Sequence, residues 1–333
     1  MIKLGVLGIG GIAETVVTVL EGVSGISLYA CASASNYSRA QDFKSKHHFK
    51  VAYKTYEELV KDPNIDLVYV ANLISDHYET VKLCLNNNKN VICEKAFTFN
   101  AKQAKELCDL SKQKHLFLTE ALLIKFTPYV KTLKDLINSG IIGKPYQISA
   151  NLGYKIFDRK RIYTPSMGGG ILLDVAVYPI NFAFNICGTN YKKIDTHCTF
   201  TKSGVDESDF INLTYDNNLS VDIFATMNGQ TDRYGYIYGS DGYIEVKNIN
   251  SPEEINVYTI QPGYHNVALI KTIKIKDPYD RYAYEFLSSI KAIENNLIET
   301  PEYTHKEIVK NMEFYDELRK KWGFNYPNES EKK

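Results

Sequence analysis

The first 120 residues alternate short apolar runs with longer stretches whose apolar residues recur at helical spacing, and this alternation restricts the fold more than any other feature. A run such as Leu67-Val68-Tyr69-Val70-Ala71 offers no charged residue to either face, as a strand covered on both sides of a parallel sheet requires. Strands are predicted at 2–8, 26–32, 65–71, 90–93 and 116–119, and helices at 11–21, 37–46, 56–61, 77–87 and 101–114. Such alternation predicts a doubly wound parallel α/β sheet. Beyond residue 120 the texture changes. A helix at 128–138 opens on Pro128 and is followed by Gly140; then come a strand at 146–154, an irregular loop and a helix at about 170–187. Stretches 211–215, 221–227, 234–239 and 255–260 follow without intervening helices, separated by turn pairs such as Asp216-Asn217 and Asp241-Gly242. They predict a mostly antiparallel sheet in an α+β domain, closed by helices at 282–295 and 305–322. The polar residues 328–333 are expected to fray. A chain of 333 residues fits two domains at about 150 residues each, here 1–120 and 121–333.

Lys plus Arg and Asp plus Glu both number 39, so the chain lacks the basic excess by which a nucleic-acid binder displaces counterions. A small-molecule ligand is the expectation. Six cysteines are scattered without a C-x-x-C pair, and seven histidines form no ligand spacing, so no disulfide framework and no metal are expected. Residues 1–10 are too short for a secretion leader and acidic Glu14 follows soon after; no run of about 18 apolar residues is found. A cytoplasmic protein with no membrane span is therefore expected.

Gly8-Ile9-Gly10-Gly11-Ile12-Ala13 matches G-x-G-x-x-[G/A] directly after the first predicted strand and at the mouth of a helix. Gly8 permits a tight turn, Gly10 lets backbone approach a pyrophosphate, and Ala13 is small enough for helix and strand to pack closely. In that context the motif predicts a Rossmann dinucleotide site with the anion at a helix N-terminus. At the end of the second strand an acid would bind ribose hydroxyls and a base would bind a phosphate. Ala32-Ser33-Ala34-Ser35-Asn36-Tyr37-Ser38-Arg39 has no acid, so its hydroxyls and Arg39 lean towards NADP over NAD, with Ser33, Ala34 and Arg39 as the cofactor-side residues. Arg39 as a plain solvated helix residue is the competing reading.

Glu94-Lys95 closes the fourth apolar strand counted above, and ligands of open α/β sheets bind beyond the carboxyl ends of strands. Farther on, Gly168-Gly169-Gly170 precedes Ile171-Leu172-Leu173-Asp174-Val175-Ala176-Val177-Tyr178-Pro179. Asp174 and Tyr178 are four apart and share one helix face, where a carboxylate and a phenol are costly unless paired or solvated in a cleft. These groups fit one reaction: hydride leaves a carbinol carbon for a nicotinamide while a base takes the hydroxyl proton. An ammonium beside a phenol favours its anion and lowers its pKa from about 10. Lys95 would supply that charge, Tyr178 the base, and Asp174 would orient the hydroxyl or hold Lys95.

These pieces resemble the glucose–fructose oxidoreductase/inositol dehydrogenase (Gfo/Idh/MocA) family over nearly the whole chain: the glycine motif, Glu94-Lys95-Ala96 for the family's E-K-P, and the Asp174–Tyr178 helix. Within it, Arg161-Ile162-Tyr163-Thr164-Pro165 and Trp322-Gly323-Phe324-Asn325-Tyr326-Pro327 are similar to the branch holding dimeric trans-dihydrodiol dehydrogenase and NADP-dependent D-xylose dehydrogenase. The resemblance implies catalysis by Lys95, Asp174 and Tyr178, with Arg161 on the substrate side. It also implies Asn72, Leu73, His77 and Glu94 on the cofactor side, and a homodimer formed through the open face of the C-terminal sheet. Departures are Asn72-Leu73-Ile74-Ser75-Asp76-His77 where T-P-N-x-x-H is common, Ala96 for proline, which loosens the turn beside Lys95, and Ala34 where the branch often has arginine. His77 either lines the nicotinamide pocket or sits at a helix start. A carbinol oxidoreductase acting on a sugar, cyclic polyol or related diol is the leading implication. The alternatives are a trans-dihydrodiol dehydrogenase and a non-catalytic nicotinamide sensor.

Overall fold

The computed structural model describes all residues except 35, 157–159, 264–265, 328 and 330–333, so Ser35 and all but Glu329 of the tail expected to fray lie outside the described residues. Two compact units are present. One holds Met1–Phe126 and Tyr279–Asp316, the other Thr127–Pro278 and Glu317–Pro327.

In the first unit, β1 (Ile2–Leu7), α1 (Gly11–Leu20), β2 (Ile26–Ala32), α2 (Tyr37–Lys46), β3 (Val51–Tyr53), α3 (Tyr56–Lys61), β4 (Leu67–Val70), α4 (Ile74–Asn86), β5 (Asn90–Glu94), α5 (Ala101–Lys114) and β6 (Leu118–Ala121) build a six-stranded sheet. Its order is β3-β2-β1-β4-β5-β6 with every neighbouring pair parallel, and it is the doubly wound sheet that the alternation predicts. All four β4 residues are fully covered, which accounts for their unbroken apolar run. Strand order reverses between β1 and β4, and the crevice at such a point is where these sheets bind ligands. Three details differ from expectation. The edge strand β3 is too short to display a period. β6 starts at Leu118 because Leu116 is occupied by Ser111, whose carbonyl takes its N–H (3.0 Å) and whose hydroxyl donates to its carbonyl (2.6 Å). α4 begins at Ile74, which puts His77 inside the first turn.

In the second unit, α6 (Tyr129–Asn138), β7 (Pro145–Gly153) and α7 (Val177–Cys187) precede β8 (Lys193–Phe200), β9 (Asp206–Thr214), β10 (Ser220–Thr226), β11 (Gly235–Gly239), β12 (Gly242–Lys247), β13 (Glu254–Ile260) and β14 (Val267–Lys274). The sheet order is β14-β13-β12-β11-β7-β10-β9-β8, antiparallel except where β7 meets β10. A single wide π turn, Leu172–Ala176, leads directly into α7, so the expected helix is present with its first turn unwound. Val221, Ile223 and Ala225 of β10 are buried while Ser220, Asp222 and Phe224 are half-buried, the signature of one covered and one open face. The π turn and α7 lie on the covered side. On the open face Tyr236, Tyr238, Tyr243 and Tyr258 follow one another with ring centroids 5.7, 5.7 and 4.5 Å apart, the first and last pairs stacked and the middle pair tilted. A depression of about 780 Å³ on this unit is lined by Asn151, His197, Phe210, Asp222 and Asp232 among others, and by none of the residues singled out in the sequence.

Pro165–Cys187 is long and apolar enough by length and composition alone to cross a membrane, with a mean hydropathy of 1.5, although Asp174 and Asn181 interrupt its apolar run. Its richest window is 72% buried inside the protein, as a core helix would be.

The unit boundary also differs from a single cut at residue 120. α8 (Ala283–Glu294) contributes Ala283, Phe286 and Ala292 to the same core as Leu4, Val6 and Tyr69, with Phe286 edge-on to Tyr69 at 5.3 Å. The amide of Leu118 donates to the carbonyl of Ile298 (3.0 Å), and His305, first residue of α9 (His305–Trp322), bonds the Leu118 carbonyl through Nε2 at 2.9 Å. Hydrophobic periodicity places a helix but not the sheet it covers. Phe286→Ala is expected to cost about 3–5 kcal/mol. Leu297→Ala, at an exposed position, should change little; denaturant unfolding of both variants checks this.

Candidate active site

At the end of β1 the chain passes Gly8 at φ +91°, and a Cβ there would stand 2.6 Å from the Asn72 amide nitrogen and 2.7 Å from the Ala71 carbonyl carbon. Only glycine lets the ends of β1 and β4 come this close. Cβ atoms on Gly10 and Gly11, in contrast, would meet nothing within 4 Å. α1 starts at Gly11, and its cap, Gly10, has no side chain to occupy the first-turn amides. Ala13 is wholly buried, and Ile9 and Ile12 pack on the core below. Open space in front of unclaimed N–H groups fits a pyrophosphate.

At the end of β2, Ser33 is buried, while Ala34 and Arg39 are exposed. Asn36 caps α2 by accepting from the Arg39 amide (3.2 Å), and the Arg39 guanidinium reaches back to donate to the Ile9 carbonyl at 3.4 Å. Arg39 is thus solvated and also held beside the glycine turn. Tyr56, which the sequence did not bring forward, lies beside Ala34 and Asn72; burial pushes its phenol up to about 12, so it remains a neutral donor.

His77 is buried, with Nδ1 3.1 Å from the Ala96 carbonyl and 3.2 Å from that of Phe97, and Nε2 3.3 Å from the Asn72 carbonyl. One imidazole therefore ties the loop after β4 to the loop after β5, and Leu73 caps α4 between them. Ala96 itself is buried and its carbonyl faces His77. The Lys95-Ala96 peptide is cis. Glu94 is buried and accepts from the Tyr69 hydroxyl at 2.5 Å, leaving Lys95 half-buried at the carboxyl end of β5. Glu120, on β6, was not foreseen. It is 1% exposed and accepts from the Phe97 amide (2.9 Å) and the Tyr303 hydroxyl (2.7 Å), whose oxygen in turn accepts from Asn311 (2.7 Å). Burial drives its carboxyl up to about 7 against the pull of Tyr303, the Phe97 amide and Lys125. Buried Glu285 is raised further by burial and by the charges of Glu94 and Glu120.

In the second unit, a Cβ on Gly169 would lie 2.6–2.9 Å from the carbonyls of Ile162, Thr164 and Arg161. The amides of Gly169 and Gly170 donate to Thr164 (3.0 Å) and Ile162 (2.8 Å). The glycine run is what lets residues 161–164 lie against the start of the π turn. Arg161 then donates through Nη2 to Asp174 Oδ1 at 2.8 Å, with the two side chains 28% and 15% exposed. Across residues 168–184 every side chain is buried except Asp174 and Tyr178. Asp174 lies in the π turn and Tyr178 in the first turn of α7, and Arg161 is a cation that Asp174 meets. Among the described residues no cluster could hold a metal ion.

Residues 2–122 match the sequence profile described as "Oxidoreductase family, NAD-binding Rossmann fold", and residues 130–245 match "GFO/IDH/MocA C-terminal domain". A trans-1,2-dihydrobenzene-1,2-diol dehydrogenase of Xenopus tropicalis is 31% identical, covering 73% of this chain and 74% of its own. An NADP-dependent D-xylose 1-dehydrogenase of Hypocrea jecorina is 33% identical, over 74% of this chain and 72% of the relative. A 3-ketoreductase of Actinomadura kijaniata, solved with NADP and TDP-benzene, superposes with a TM-score of 0.86 over 96% of this chain and 97% of that one at 20% identity, a likeness of fold.

Glu120 makes a pH test possible. Its native pKa lies above the ordinary 4.5, so the native state holds the proton more tightly between pH 4.5 and 7. Its contribution is complete below 4.5 and is lost as pH rises through about 7. Relative to wild type, Glu120→Gln should gain up to about 3 kcal/mol in unfolding free energy between those limits. Thermal unfolding of both proteins across the range measures this, and a pH-independent difference contradicts it.

Proposed function

The chain belongs to the GFO/IDH/MocA oxidoreductase family, and on that footing we propose that it moves a hydride between NADP and the carbinol carbon of a sugar, cyclic polyol or related diol. The observation that carries the reading is that Asp174 and Tyr178 alone are partly exposed in an otherwise buried segment, since a carboxylate and a phenol are costly in an apolar core unless paired or solvated. When bound, the nicotinamide supplies the hydride acceptor or donor. The Gly8–Ala13 turn would hold the pyrophosphate on backbone amides, and Arg39, with no acid in residues 32–39, would favour the extra phosphate of NADP over NAD. Tyr178 takes the substrate hydroxyl proton during oxidation and returns it during reduction. Lys95 provides positive charge at the reacting oxygen. Asp174, its carboxylate oriented by Arg161, accepts a hydrogen bond from a substrate hydroxyl.

A panel of sugars, polyols and a trans-dihydrodiol, each with NADP and NAD and followed by nicotinamide absorbance, tests the reading. Turnover with NADP on at least one carbinol is expected; a preference for the dihydrodiol selects that narrower activity, which two curated relatives of 31% identity carry in their names. Cofactor binding without any turnover would instead fit a sensor. On the best substrate, Lys95→Met and Tyr178→Phe should each lower turnover by at least roughly 100-fold. Wild-type turnover in Tyr178→Phe would remove the assigned base.

The same reading includes a homodimer joined through the open face of the eight-stranded sheet, where the stacked tyrosines offer large, rigid, half-buried rings of the kind enriched at interfaces. The six free thiols support a cytoplasmic setting. Sedimentation should give a dimer for wild type and a monomer for Tyr243→Lys; a monomeric wild type contradicts the assignment.

A further inference from the structure

We propose that Asp206 is the positioning residue that fixes the start of the helix presenting Asp174 and Tyr178. The inference rests on the reading of Tyr178 as the acid–base group, and adds the device that holds it.

The π turn begins without a cap of its own: Ile171 precedes it and offers no side-chain acceptor. Two successive amides at that start are taken instead by one residue from another strand. The carbonyl of Asp206 accepts from the Ile171 amide at 3.1 Å, and its carboxylate Oδ2 accepts from the Leu172 amide at 2.6 Å. A carboxylate at a helix start also complements the dipole there. Gly170, at φ +109°, is shaped by the same contact, since a Cβ would lie 2.1 Å from Asp206 Oδ1. The third glycine of the run thus makes room for the acid.

The strand is irregular where the acid sits. β8 and β9 shift register between Thr199 and Phe200, so that Phe200 pairs with Asp206 and Thr199 with Ser208, passing over Glu207. Such a bulge re-aims side chains, and here Asp206 and Asp209 are both buried although they lie three apart on one strand. Burial raises Asp206 to about 6, opposed by the Leu172 and Ile171 amides and by Arg319, itself 3% exposed. Burial and the Asp206 charge push Asp209 well above the carboxylate range. When ionised, Asp206 acts as a charged acceptor towards the Leu172 amide, which is the stronger kind. Nothing in the geometry brings Asp206 to solvent, so its effect on chemistry passes through the helix it holds.

Asp206→Asn keeps shape and one amide oxygen, and Asp206→Ala removes the acceptor. Hydrogen exchange at the Leu172 amide, substrate KM and kcat, and cofactor affinity are measured on the full-length protein. In Asp206→Ala, Leu172 exchange should accelerate and kcat should fall about tenfold or more, the scale on which misplaced catalytic groups act. KM should change less, cofactor affinity should hold within about twofold because the glycine turn is untouched, and Asp206→Asn should recover part of kcat. If Asp206→Ala does not give folded protein, Asp206→Asn alone still decides, through Leu172 exchange and the split between kcat and KM. Unchanged exchange at Leu172 overturns the proposal, and so does faster exchange with undiminished kcat. Failure of the Tyr178 reading is distinguishable, because it would leave turnover intact in Tyr178→Phe whatever Leu172 does.

Discussion

Seventeen consecutive positions from Gly168 to Phe184, counted as 184 − 168 + 1, bury every side chain but those of Asp174 and Tyr178, and that restriction organises the second unit. A carboxylate and a phenol cannot join an apolar core without partners. Keeping them outward requires the helix to be held in one rotation about its axis. The covered face of the sheet provides that through buried Val175, Val177 and Ile180, and the glycine run provides it at the start, by letting residues 161–164 lie against the backbone. Arg161 reaches Asp174 as a consequence. Tyr326 adds a further tie, its hydroxyl donating to the Gly169 carbonyl at 2.9 Å.

The first unit meets a similar demand by other means. Parallel strands end together at one edge, and the loops beyond them carry the polar groups. His77 bridges two of those loops, and Glu120 binds the Phe97 amide, so the residues flanking Lys95 are held by buried polar groups and not by packing alone.

Local signals carried much of this. Gly8-Ile9-Gly10 was legible because a tight turn, an open approach and a helix start all follow within a few residues, and Asp174 with Tyr178 because helical spacing puts them on one face. The two-sheet architecture followed from periods of 2 and 3.6. What stayed hidden depends on contacts distant in sequence. Glu120 pairs with Tyr303, and α8 covers the parallel sheet from more than two hundred residues away, as Phe286 does Tyr69. Arg161 as the partner of Asp174 was invisible because an irregular loop has no period to read. β3 was too short for alternation.

The claim at the centre is that Lys95 and Tyr178 serve one chemical step. It is tested most directly by a double-mutant cycle on kcat, comparing Lys95→Met, Tyr178→Phe and the combined variant. Groups that act as a unit are strongly non-additive, so the double variant should be only about as slow as the slower single one. Losses that multiply, giving roughly 10,000-fold if each single change costs about 100-fold, would mean the two side chains work independently and would contradict the assignment.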